Sequence, residues 1–229
     1  MPDKNCYNLM IKYKPMVKTP NIAGTVASYL LEIKAVKLSP HTPFTWASGW
    51  KSPIYCDNRK TLSYPKIRDY IRDAFVESIK KNVKQVDVVA GVATAGIPQG
   101  MLIAQALNLP FVYVRSSNKA HGLENKIEGV VEKGQTAIVI EDLISTGGSS
   151  LAVVDALRDA GCKVDAMFAI FTYGFPVADE HFEQKQCKLF TLSNYNVLVS
   201  KALHEGYIKE SNLESLQKWR EAPEKWGTR

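Results

Sequence analysis

Short β-branched runs alternate with stretches of helical apolar spacing along most of this chain. Ile22, Val26, Tyr29, Leu30 and Ile33 fall on one face of a helix that Asn21 can cap, that runs to about Lys37, and that has Pro40 beyond its end. Ile67, Ile71, Phe75 and Ile79 recur every four residues and predict a second helix from Tyr64 to about Lys84. Apolar runs at Val86–Ala90, Phe111–Val114, Ala137–Ile140, Lys163–Phe171 and Lys188–Leu192 read as strands. Helical segments follow, through Met101, Leu102, Ala104 and Leu107, through Leu151, Val154, Ala156 and Leu157, and over Val177–Gln186, Tyr195–Glu205 and Ser211–Arg220. Strands this apolar cannot have one wet face. The alternation from Val86 onward therefore predicts an α/β fold, a mostly parallel sheet flanked by helices.

Three stretches break the pattern. Residues 1–20 are rich in Lys and Pro and read as a loose arm. Phe44 to Asn58 holds two aromatic runs split by Ser48-Gly49 and Ser52-Pro53, which suggests a hairpin able either to stack a planar base or to pack as a hydrophobic lid. Ser116 to Gly129 has little apolar periodicity and many charges, as in a mobile surface loop. The organisation expected is an arm over 1–20, small hood elements over 21–65 and a core with C-terminal helices over 66–229, all one domain.

Composition narrows the class. With 229 residues, 45% hydrophobic and 23% charged, the chain is an ordinary globular one. A net charge of +6 suits a polyanionic ligand; the cations are scattered rather than massed in one arm, which favours small phosphates over nucleic acid. The four cysteines lack paired spacing for zinc or a disulfide framework. There is no apolar run of membrane length and no signal-peptide core in Met1–Lys18, so a cytoplasmic protein is expected. His41, His181 and His204 have no partners at metal-ligand spacing and read as surface or packing histidines.

The chemistry concentrates in Thr136–Ser150. A buried run, Ala137 to Ile140, leads into Glu141 and Asp142, which cannot lie unpaired in a core and should emerge at the carboxyl end of the sheet. Ser145-Thr146-Gly147-Gly148-Ser149 then opens a helix. Two glycines allow backbone amides to converge, and the helix N-terminus adds partial positive charge, so the turn is a phosphate cradle. Acids beside a phosphate site make sense if a ribose lies between, since its hydroxyls donate to carboxylates. No Gly-Lys-Ser or Gly-Lys-Thr occurs, which argues against a P-loop nucleotidase.

This strand, acid pair and Thr/Gly/Ser loop resemble the 5-phosphoribosyl-1-pyrophosphate motif of type I phosphoribosyltransferases. Phe44 to Pro65 (Phe-Thr-Trp-Ala-Ser-Gly-Trp-Lys-Ser-Pro-Ile-Tyr onward) resembles the amino-terminal hood of the orotate phosphoribosyltransferases, and Arg115-x-x-x-Lys119-x-His121-Gly122 resembles their catalytic loop. The resemblance implies Mg²⁺-dependent transfer of phosphoribosyl from phosphoribosyl pyrophosphate to orotate, in a cytoplasmic homodimer whose 116–129 loop completes the neighbouring site, with no nucleic-acid or membrane partner. It implies that Ala93, Thr94, Ala95 and Gly96 cup the pyrophosphate, often through a strained peptide in this family, and that Arg115, Lys119 and His121 stabilise its departing charge. Glu141 and Asp142 would hold the ribose, with Asp142, Lys119 and His121 as catalytic groups and Leu143, Ile144, Ser145, Thr146, Gly147, Gly148 and Ser149 completing the sugar-phosphate site. Ser145 and Tyr55 would touch orotate, and Mg²⁺ would be bound chiefly by ligand oxygens, without a dedicated protein metal site.

Some members carry Lys where Ala47, Ala95 and Ser116 stand, and an Arg that Ile170-Phe171-Thr172-Tyr173 lacks. Lys51 or Arg59 is then the candidate partner for the orotate carboxylate. Two rivals stay open: a purine-using phosphoribosyltransferase, which would not need the hood, and a phosphoribosyl pyrophosphate sensor binding nucleic acid, for which the arm is too short to form a winged helix.

Overall fold

Alternate residues of each apolar strand pack on opposite faces of one six-stranded sheet. A computed structural model of the protein describes residues 22–46, 49–115 and 126–226; the 1–20 arm, Asn21, Lys119 and His121 lie outside the described residues. Helix α1 (Ile22–Glu32) is shorter than its apolar spacing predicts, because Lys34 takes a left-handed φ of 54° that ends the helical path. Val36–Leu38 is instead strand β1, and the hairpin strands β2 (Phe44–Thr45) and β3 (Lys51–Ser52) are followed by β4 (Ile54–Cys56), which pairs antiparallel with β1. The expected aromatic hairpin is thus two small sheets. A 3₁₀ turn, Asn58–Ser63, leads into α2 (Pro65–Asn82), whose first-turn proline lacks only an amide that would have no helical partner.

The core continues with β5 (Val88–Val92), α3 (Gly96–Leu107), β6 (Phe111–Val114), β7 (Ile127–Glu128), β8 (Thr136–Ile144), α4 (Gly148–Asp159), β9 (Lys163–Thr172), α5 (Pro176–Gln184), β10 (Lys188–Asn194) and α6 (Tyr195–His204). After a 3₁₀ turn at Glu210–Asn212 the last helix is α7 (Leu213–Glu221). The sheet order is β10-β9-β8-β5-β6-β7, with every neighbouring pair parallel except β6 and β7. The chain winds outward from β5 to β6 and then, from β8, in the other direction. The reversal falls between β5 and β8, where a crevice opens at the carboxyl ends of the strands.

Val89, Ile138, Ile140, Phe168 and Ile170 face the layer made by α1, α2, α3, α6 and α7. Val88, Ala90, Ala137, Val139 and Met167 face α4 and α5. Each fully buried side chain of this kind contributes about 1.5–3 kcal/mol relative to exposure, which is why the strands lack polar positions until the acids. The hood is fastened by aromatic packing. Trp46 lies with its ring centroid 5.1 Å from Tyr173 and 5.6 Å from the fully buried Trp219 of α7, and its indole N–H donates to the Ile54 carbonyl at 3.1 Å. Its role is that of a lid residue packed on the body.

Candidate active site

The acid pair sits inside β8, not beyond it, since the strand continues two residues past Asp142 to Ile144. Glu141 is only 6% exposed, contrary to the expectation that both acids emerge from the core. Its burial is tolerated because both oxygens are satisfied: Oε2 accepts from the Ser150 hydroxyl at 2.8 Å and Oε1 from the Asp142 backbone amide at 2.9 Å. Burial, reinforced by the neighbouring Asp142 charge, pushes the Glu141 pKa up to about 8. Burial also raises Asp142, opposed by its hydrogen bond with Glu141 and the nearby Arg59 guanidinium.

Beyond β8 the chain turns through Ser145, Thr146 and Gly147, and Gly147 adopts a φ of 82° that a side chain would strain. A Cβ at Gly147 would also come within 2.9 Å of the Phe182 ring, whereas one at Gly148 would meet nothing within 4 Å. Open space therefore lies before the first turn of α4, whose unpaired amides can receive an anion. The Thr146 carbonyl is held from behind, 2.8 Å from Nδ1 of His181 on α5. Leu143 and Ile144 turn their side chains into the two core layers, so only their backbone can face a ligand.

Across the switch point, β5 ends in the Ala93–Thr94 turn, whose peptide bond is cis, and α3 begins at Gly96. A Cβ on Gly96 would overlap the carbonyl oxygen of Ile140, so only glycine lets α3 start this close to β8. The Ala93 amide donates to the Val114 carbonyl at 2.9 Å, tying this turn to the end of β6. Arg115 follows, its guanidinium 3.2 Å from Glu128 of β7. Of the expected 116–129 loop, residues 116–125 lie outside the described residues, and Ile127–Glu128 is a strand, pairing antiparallel with Tyr113–Val114.

The hood reaches the same edge. Asn58 donates its side-chain amide to the Asp142 carbonyl at 2.7 Å, while its Oδ1 accepts from Cys56 at 3.3 Å. The Asn58 backbone carbonyl accepts from the Thr61 hydroxyl at 2.6 Å, and Gln99 of α3 donates to that hydroxyl at 3.4 Å. One chain of hydrogen bonds thus joins α3, the hood and β8.

This arrangement meets a close match among known proteins. Residues 60–191 match the family model described as phosphoribosyl transferase domain. The orotate phosphoribosyltransferase of Porphyromonas gingivalis is 54% identical over 202 residues, 88% of this chain and 96% of that protein. The chain belongs to the orotate phosphoribosyltransferase family. The Listeria monocytogenes orotate phosphoribosyltransferase is likewise 54% identical, over 90% of this chain and 99% of that one. Among solved structures, the orotate phosphoribosyltransferase from Aeropyrum pernix superposes with a TM-score of 0.70 at 27% identity, covering 80% of this chain and 99% of that one.

Within this member of the family, Ala93–Gly96 follows β5, Arg115 follows β6, and Glu141–Ile144 closes β8 with Ser145–Ser149 beyond it, so all three lie at the carboxyl ends of adjacent strands. Tyr55 on β4 is 40% exposed, its ring 5.7 Å from Phe44. Lys51 is on the β2–β3 hairpin, bonded to the Thr45 hydroxyl at 2.8 Å, whereas Arg59 engages Asp57 through Nε at 2.6 Å. Asn58 and Ser150 lie inside the two motif stretches but carry no assigned role there, and His181 lies outside both; their contacts with Asp142, Glu141 and Thr146 appear only in the fold.

Proposed function

We infer that this chain transfers the 5-phosphoribosyl group from phosphoribosyl pyrophosphate to orotate, giving orotidine 5-phosphate and pyrophosphate in pyrimidine biosynthesis. One observation carries the reading: a buried Glu141 beside a half-buried Asp142, and a glycine-turned helix N-terminus, share a switch-point crevice, in a chain that matches orotate phosphoribosyltransferases over most of its length.

The residue roles follow from charge and geometry. The loop Thr146–Ser149 takes the 5-phosphate on its amides and hydroxyls. Both Glu141 oxygens are already engaged, which leaves Asp142 as the first acceptor for a ribose hydroxyl and Glu141 as its support. No nucleophilic side chain is required. As pyrophosphate leaves, the anomeric carbon becomes cation-like beside Asp142, while Arg115, Lys119 and His121 neutralise the departing charge and the Ala93–Gly96 turn cups it. Tyr55 and Ser145 position the orotate ring, and Lys51 or Arg59 faces its carboxylate.

Mg²⁺ belongs to the same reading. Among the described residues no three His, Cys, Asp or Glu side chains cluster to cage a metal, and the Asp142 carboxylate beside a polyphosphate fits a hard cation carried largely by ligand oxygens. Bound there, it would supply charge neutralisation between pyrophosphate and ribose. A cytoplasmic homodimer, with the 116–129 segment completing the neighbouring site, completes the proposal; the free Cys56, Cys162 and Cys187 suit a reducing compartment. Among the described residues no helix is long and apolar enough to cross a membrane.

The test is an assay with orotate, phosphoribosyl pyrophosphate and Mg²⁺, following loss of orotate and release of pyrophosphate. Inert orotate with consumption of adenine or hypoxanthine would replace this reading with the purine one.

A further inference from the structure

We propose that His181 is a positioning residue for the phosphate loop: it pins the Thr146–Gly147 peptide so that the Gly147 amide is presented to the 5-phosphate. The proposal rests on the reading of that loop as the phosphate site. A carbonyl oxygen can only accept a hydrogen bond, so the 2.8 Å approach of His181 Nδ1 to the Thr146 carbonyl places a proton on Nδ1. That carbonyl and the Gly147 N–H belong to one planar peptide and point in opposite directions. Holding the carbonyl toward α5 therefore aims the amide away from α5. Among the described residues no acceptor engages the Gly147 N–H.

The neighbouring residue backs up the arrangement. The Phe182 ring fills the volume where a Cβ on Gly147 would lie, so the loop is braced by apolar contact at one residue of α5 and by a hydrogen bond at the one before it. Phe182 supplies support without direction, because apolar contact does not fix a peptide's rotation. His181 supplies the direction. Without it the peptide can turn over, replacing a donor with a carbonyl oxygen that repels phosphate.

The chemistry distinguishes orientation from packing. Asn places its side-chain N–H close to where His carries Nδ1, while Gln places its own nearer to Nε2. The experiment measures KM for phosphoribosyl pyrophosphate, kcat at saturating substrates, melting temperature, and affinity for ribose 5-phosphate in the full chain. His181→Ala should raise that KM and weaken ribose 5-phosphate between about threefold and tenfold, the scale of one hydrogen bond, with kcat changed less. His181→Asn should recover most of the loss and His181→Gln should not. Wild-type KM in His181→Ala, or equal impairment in the Asn and Gln variants, would overturn the proposal; should the Ala variant not fold, the Asn and Gln pair decides alone. A wild-type enzyme that neither turns over orotate nor binds ribose 5-phosphate would instead remove the underlying functional reading, and this proposal with it.

Discussion

The side-chain amide of Asn58, in the hood, donates at 2.7 Å to the backbone carbonyl of Asp142, in the central strand of the site. The hood and the strand that carries the acid pair are thereby one unit. Asn58 is only 1% exposed, so its side-chain amide cannot turn to water if this bond is lost. Asn58→Ala should lower the unfolding free energy by about 1–3 kcal/mol, the cost of stranding a buried acceptor, and should raise KM for phosphoribosyl pyrophosphate. Urea unfolding together with steady-state kinetics checks both; wild-type values in each would show the bond to be incidental.

Stability of the ligand-free protein should fall as pH rises through the neutral range. Glu141 ionises near 8 in the fold against 4.5 for a free side chain, so the folded state holds an extra proton between those values. The stabilisation is complete below about 4.5 and is lost as pH climbs toward 8, an effect on the order of a few kcal/mol. Asp142, shifted the same way, adds to it, while Asp57, Asp87 and Glu214 are shifted down and act only in the acid range. Glu141→Gln should flatten the slope between pH 5 and 8, by about half or more, in denaturant titrations. Parallel slopes for the two proteins would refute this protonation state.

Asp142→Asn should leave the melting temperature near that of the parent and depress kcat by about a hundredfold or more, because the carboxylate's charge, not its shape, matches the developing cation. Lys119→Ala should fail for a different reason, loss of charge against pyrophosphate. Mixed in one solution, the two inactive chains should regain part of the parental rate through hybrid dimers with one intact site. Mixtures as inactive as their parents would eliminate the exchange of loops between subunits.

Arg59 and Lys51 can be ranked as partners for the orotate carboxylate. The Arg59 guanidinium lies close enough to Asp142 to feel its charge, and among the described residues only its Nε is engaged. Lys51 spends its ammonium on Thr45. Arg59→Ala should raise the orotate KM about tenfold and Lys51→Ala by less than about threefold, each measured at saturating phosphoribosyl pyrophosphate. The opposite order would move the carboxylate toward the hairpin.

Much of the architecture was legible because burial on both faces leaves an unmistakable trace. Ala137 to Ile140 admits no polar residue, and Gly147-Gly148 before Leu151 marks a turn into a helix. What stayed hidden depended on pairings that only the folded chain makes. Val36–Leu38 continues an apolar helical spacing, and only its pairing with Ile54–Cys56 makes it a strand. Ile127–Glu128 is too short and too polar to announce itself, and exists because Tyr113 and Val114 offer an edge. Glu141 was expected outside the core because an unpaired carboxylate cannot be buried; Ser150, one helix turn into α4, supplies the pairing that local reasoning lacked. His181, read as a surface or packing residue, gains its contact with Thr146 only because α5 packs beside the loop.

Gly96 leaves no room for even one methyl group between the start of α3 and the Ile140 carbonyl. Backbone abuts backbone there, so mutation has no side chain with which to reshape the floor of the crevice. Descendants of this sequence that came to accept another base would have to change the roof instead, where strands of two or three residues tolerate redesign at little risk to the sheet.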